Sequence, residues 1–133
     1  MKLSATIQGM LIITLLTAAV AARAGLNFTY PVWVSNTGSG GTATGQVRGA
    51  RNSSNNIEFI YCYFEVNDVW KEGRINCSAQ SATEERLSCY KLAPSAAMRA
   101  AATSVTDISA ITFRADEHGV CTTIGVDNAS WNL

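Results

Sequence analysis

Apolar and polar residues alternate with a period of two along much of this chain, and that alternation predicts strands. The densest instance is Ile57-Glu-Phe-Ile-Tyr-Cys-Tyr-Phe-Glu-Val66. Ile60, Cys62, Phe64 and Val66 form one apolar face, and Phe59, Tyr61 and Tyr63 form a second, aromatic one. A strand apolar on both faces is usually covered on both, so this segment is expected to be central. Upstream, Leu26, Phe28, Tyr30, Val32 and Val34 alternate, with Pro31 marking an edge or an irregularity. Thr44 to Ala50 is expected to form a short strand. Arg74 to Gln80 and Arg86 to Leu92 read as the arms of a hairpin about Ser81–Glu85. Ile108 to Ala115 and Gly119 to Asp127 read as another, closed by Asp116-Glu-His-Gly119, with Gly119 suited to positive φ. In its second arm Val120, Thr122, Ile124 and Val126 share a face and Cys121 points the other way. Helical periodicity is confined to Pro94–Thr103, where Ala97, Met98, Ala101, Ala102 and Val105 make an apolar stripe. The expected fold is mainly β and sandwich-like: six to seven mostly antiparallel strands with one short α-helix at about 95–103.

The first residues do not fit that pattern. Lys2 precedes an apolar run of eleven residues, Met10–Val20, and Ala22-Arg-Ala24 follows with small residues at the positions a signal peptidase reads. A membrane span needs about 20 apolar residues, so the expectation is a cleaved signal peptide at 1–24. A single disulfide-stapled β-rich domain would then occupy 25–133, periplasmic or secreted, with no membrane insertion after cleavage. Removing Lys2 and Arg23 takes the basic count from 10 to 8 against 10 acidic residues, a net charge of −2. The arginines are scattered, which argues against a nucleic-acid partner. The size suits one core, and a monomer is expected.

All four cysteines, Cys62, Cys77, Cys89 and Cys121, fall in the expected exported part. An even count in an exported chain argues for two disulfides. Reflecting the 74–92 hairpin about Thr83 sets Ala79 against Leu87 and Cys77 against Cys89. Directly opposed residues have Cα atoms about 4.5–5.5 Å apart, within disulfide reach. The expected pairs are therefore Cys77–Cys89 and Cys62–Cys121. There is no C-x2-C pair, so neither a zinc site nor a redox motif is indicated, and no metal or cofactor is expected.

Candidate chemistry is sparse. Thr37–Gly45 holds four glycines, as a mobile loop or a Gly-rich strand, but lacks the GK[ST] ending of a phosphate-binding loop. His118 is the lone histidine and sits at a hairpin tip, where a solvated turn is expected. No serine lies in a G-x-S-x-G elbow. The carboxylates Glu84-Glu85 and Asp116-Glu117 are adjacent on turns rather than set across a cleft, as glycoside hydrolysis requires. The aromatic face of Phe59, Tyr61 and Tyr63 is the sharper candidate. The 94–103 helix or a second sheet is expected to cover it. Left open, it would be a binding face that stacks on sugar rings or a protein partner.

Several segments together resemble a group of small exported bacterial proteins of undefined function. They are Gly45-Gln-Val-Arg-Gly-Ala-Arg-Asn-Ser53, the strand ending Ile60-Tyr-Cys62, Cys77-Ser-Ala-Gln leading to Ser88-Cys89, and Gly119-Val-Cys-Thr-Thr-Ile-Gly-Val126. The resemblance implies an exported two-disulfide β domain and carries no activity. The expected function is a non-enzymatic module that binds a protein or glycan. The alternative is a small envelope inhibitor or toxin-like factor acting through a Gly-rich loop at 37–45, and the third reading is a small secreted hydrolase.

Overall fold

The structure, a computed structural model, describes residues 29–128. The expected signal peptide at 1–24, Leu26, Phe28 and the tail 129–133 lie outside the described residues. Two antiparallel sheets face each other. One has four strands in the order β1 (Trp33–Asn36), β2 (Gly40–Gln46), β6 (Ala110–Asp116), β7 (Cys121–Asp127). The other has three, in the order β3 (Phe59–Glu65), β4 (Arg74–Gln80), β5 (Arg86–Leu92). The expected mainly β sandwich is thus the fold, with a second short helix besides the expected one. These are α1 (Val47–Arg51) and α2 (Ala96–Thr103).

The core lies between the sheets. β6 contributes Ile111, Phe113 and Ala115, β4 contributes Ile75, Cys77 and Ala79, and β3 contributes Ile60 and Cys62, all buried. Phe113, Ile75 and Ile111 are wholly removed from water and are the largest side chains so placed among the described residues. α2 is capped by the Ser95 hydroxyl, which accepts from the Met98 N–H at 3.3 Å. It packs against β3 and β7, burying Ala102 and half-burying Met98.

Three expectations about the strands change. First, Gly40–Gln46 is a strand, paired on both sides with β1 and β6. Of the mobile loop and the Gly-rich strand expected at 37–45, the strand is the form taken over 40–45, and what remains of a loop is the tight turn at 37–39, where the Thr37 N–H donates to the Gly40 carbonyl at 2.9 Å. Gly41 and Gly45 are there for close packing rather than mobility. A Cβ on Gly41 would stand 2.9 Å from Leu87 Cδ1, and one on Gly45 3.0 Å from Val32 Cγ2. Residues 47–50, expected as the end of a short strand from Thr44, turn instead into α1.

Second, the aromatic strand β3 is an edge strand, not a central one. Third, β7 carries an irregularity in its pairing with β6. Arg114 faces Thr123 but Ala115 faces Cys121, so Thr122 is an extra residue in the ladder. That insertion reverses the side-chain parity, and Cys121 points into the core on the same side as Ile124.

Parity and register together decide the disulfides. Cys77 does oppose Cys89 in the β4–β5 ladder, and Ala79 opposes Leu87, as the reflection predicts. Cys77 also opposes Cys62 in the β3–β4 ladder. The observed bridges are Cys62–Cys77 and Cys89–Cys121, which corrects the expected Cys77–Cys89 and Cys62–Cys121. The reason is the asymmetry of a middle strand. A residue there makes a hydrogen-bonded pair with one neighbour and a closer, non-hydrogen-bonded pair with the other. The 4.1 Å Cα separation of Cys62 and Cys77 marks theirs as the close pair. Cys89 is left on the wide side, and β5 meets the β6–β7 turn there. The Tyr90 N–H donates to the Gly119 carbonyl at 3.0 Å, which brings Cys121 within 5.0 Å (Cα–Cα) of Cys89.

Candidate functional site

The outer face of the three-stranded sheet is built from alternate residues of β3, β4 and β5. Tyr61 stands opposite Ser78 and Ser78 opposite Ser88. One step along, Tyr63 stands opposite Asn76 and Asn76 opposite Tyr90. Large rings on the two outer strands therefore flank short polar side chains on the middle one. The result is a shallow groove of about 280 Å³. Adjacent strands are about 4.8 Å apart, so its walls stand roughly 10 Å from each other.

One wall is an aromatic ladder. Phe59, Tyr61 and Tyr63 run as near-parallel rings with centroids 5.9 Å apart at both steps. α2 does not cover them, because it packs against the edge and inner side of β3. Tyr61 and Tyr63 are each 45% exposed and Tyr90 is 41% exposed. A ladder of this size left open to water is the kind of apolar surface that marks a contact site. The floor offers hydrogen-bonding groups. The Ser78 and Ser88 hydroxyls lie 2.7 Å apart, and the Asn76 amide donates to Glu65 Oε1 at 3.2 Å.

Arg74 closes one end. Its guanidinium lies 4.5 Å from the centre of the Trp70 ring and 5.6 Å from that of Tyr90, so two π faces hold it in place. Sequence reasoning singled out the three aromatics of β3 but not Arg74, Asn76 or Tyr90. The hairpin reflection that sets Cys77 against Cys89 also sets Asn76 against Tyr90, so part of the far wall was within its reach.

The remaining candidates stay apart from the groove's chemistry. His118 is exposed at the β6–β7 turn, 3.5 Å from Glu117. The turn itself is organised by Asp116, whose Oδ1 accepts from the Val120 N–H at 2.8 Å and the His118 N–H at 2.9 Å. The Val120 amide above all, then those of His118 and nearby positive charge, hold its carboxyl below the usual 3.8. A depressed carboxyl stabilises the fold at pH values above its unfolded pKa and loses that contribution as pH falls through the folded one. Stability is therefore expected to decline on acidification below about pH 4, and Asp116→Ala is expected to flatten part of that decline. Urea midpoints of both proteins across the acid range check this.

Gly119 in that turn has φ +71°, as its position in the sequence predicts. The sulfur atoms of Cys77, Cys89 and Cys121 come within 4.8 Å of one another, but each is already in a disulfide and none is the thiolate a metal requires. A larger hollow of about 450 Å³ lies over the other sheet, lined by Tyr30, Trp33, Thr44, Thr112 and Asp127. Its rim is where the chain passes into residues outside the described ones, and its Thr44 and Thr112 hydroxyls bond each other at 2.8 Å. Its described lining residues include neither an aromatic ladder nor a cation. Comparison of the chain with protein-family models, curated proteins and solved structures gives no match.

Proposed function

We propose that this protein is an exported, non-enzymatic module that binds a glycan in the groove across β3, β4 and β5. The observation that carries the reading is the aromatic ladder of β3, with Tyr61 and Tyr63 exposed and Phe59 half-buried behind them, beside a floor of Asn76, Ser78 and Ser88. Aromatic faces take the apolar C–H surface of sugar rings, and amide and hydroxyl groups between them take the sugar hydroxyls. The two disulfides fit an oxidising compartment, and no helix of the described residues is long and apolar enough to cross a membrane. The disulfides support export, to a bacterial periplasm or medium. The second reading, a small inhibitor or toxin-like factor acting through the Gly-rich segment 37–45, would have to use the exposed turn at 37–39, since residues 40–45 lie in a paired strand.

The test is a binding screen of the purified mature protein against soluble and insoluble polysaccharides, followed by calorimetric titration of those retained. Tyr61→Ala is expected to weaken binding by about tenfold or more. The fold should hold, since an exposed substitution of this kind changes stability by about 0.5 kcal/mol or less. No retained polysaccharide, or a Tyr61→Ala variant that binds as tightly as the parent, rejects the reading.

A further inference from the structure

The glycan-binding reading leaves the class of sugar open, and Arg74 narrows it. Here the inference rests on that reading and goes one step further. We infer that the groove is built for carboxylated glycans, chains of uronic acids, with Arg74 as the group that binds the carboxylate.

Arg74 is half-buried, lines the groove, and is held between Trp70 and Tyr90. Among the described residues no carboxylate lies within 4 Å of its guanidinium, and it makes no hydrogen bond with the protein. Its Nε is shielded from water and has no partner. A guanidinium has five N–H donors in a planar fork that matches a carboxylate bidentately. The terminal nitrogens are not shielded in this way and carry no protein partner, so they are the donors that a carboxylate in the groove would take.

The neighbouring charge also points this way. Glu65 stands directly opposite Arg74 in the β3–β4 ladder and is its natural ion-pair partner. Instead, Glu65 Oε1 accepts from the Asn76 amide at 3.2 Å. The cation is thus held clear of its own side's carboxylate and presented at the end of the ladder. The rings that fix it reduce the freedom it loses on binding, which favours affinity. A lysine there would offer a point charge without the fork.

The experiment uses oligosaccharides of galacturonate, glucuronate and mannuronate, each as the free acid and as its methyl ester. The two forms differ in little but the charged carboxylate. Titration of the wild-type protein is expected to show the acid of at least one sugar binding about tenfold or more tighter than its ester, with that margin shrinking as salt rises. Arg74→Gln is expected to erase the margin while leaving ester binding in place. Glu65→Gln keeps Arg74 in place, removes the negative charge opposite it in the ladder, and is expected to strengthen acid binding. Equal affinity for acids and esters, or an acid preference that survives Arg74→Gln, overturns the inference. Binding of neutral polysaccharides that depends on Tyr61, with no preference for acids, overturns it while leaving glycan binding standing. No binding to any carbohydrate overturns both.

Discussion

Replacing Cys89 and Cys121 together by alanine is expected to destabilise the protein by about 4 kcal/mol. Removing Cys62 and Cys77 is expected to cost less, about 3 kcal/mol. On the chain-entropy account, a bridge stabilises by limiting the unfolded chain, more so for longer loops. The Cys89–Cys121 bridge spans 32 residues and the Cys62–Cys77 bridge spans 15. Architecture adds to the difference. Cys62 and Cys77 lie on neighbouring strands whose ladder fixes seven register pairs without help. Cys89 and Cys121 lie on different sheets, and the backbone link beside them is the single bridge between Tyr90 and Val120. The whole stability of a domain is about 5–15 kcal/mol, so losing the inter-sheet bridge should remove a large fraction of it. Denaturant unfolding of the parent and of the two double variants decides the matter. A larger loss from the Cys62/Cys77 pair would show that the sheets hold together without the bridge. Non-reducing peptide mapping would show the same connectivity directly.

Features that rest on local periodicity were legible in the chain, and features that depend on a distant partner were not. The 74–92 hairpin could be read to the residue, because its arms are close in sequence and a reflection is enough to align them. The helix at 96–103 and the positive φ of Gly119 were equally local. The disulfides were not, because Cys77 opposes two cysteines. Only the hydrogen-bonding state of each pair tells the close one from the wide one, and no residue type records it. Cys121 was misdirected by a one-residue insertion at Thr122, which leaves ordinary alternation in the sequence and flips its meaning. β2 was ambiguous because glycines have no side chains to alternate. What makes it a strand is the approach of Leu87 from the other sheet.

The candidate site divides along the same line. Phe59, Tyr61 and Tyr63 stood out as a second apolar face. Whether such a face meets a helix or water depends on where that helix packs. α2 settles against β3 and β7 through Ala102 and Met98, which leaves the face open. Arg74 and Tyr90 come together through the pairing of β4 with β5, and Trp70 joins them from the turn before β4; the types of Arg74 and Tyr90 alone gave no signal.

Gly73→Ala is expected to link the core to the site, at about 2–5 kcal/mol of stability. Gly73 precedes Arg74 at the start of β4 and has φ +86°, a left-handed backbone that costs alanine about 1–2 kcal/mol. A Cβ there would stand 2.2 Å from Phe64 Cε2 and 2.3 Å from Cζ, so the ring must move. Phe64 packs against the core, and overpacking of this kind costs about 1–3 kcal/mol more. Gly73 also ties the local backbone together. Its N–H donates to the Trp70 carbonyl at 2.8 Å, and its carbonyl accepts from the Ala93 N–H at 3.0 Å. Displacing it should shift Trp70 and Arg74 together, so the preference for carboxylated glycans should weaken along with the fold. Gly119→Ala is the matched control. Its φ is +71°, but a Cβ there has nothing within 4 Å, so the backbone cost alone applies. Urea unfolding should therefore find Gly73→Ala the more destabilised of the two by the cost of moving Phe64. Equal losses would mean that the ring gives way freely, and that the turn and the groove are not held by a shared, close-packed contact.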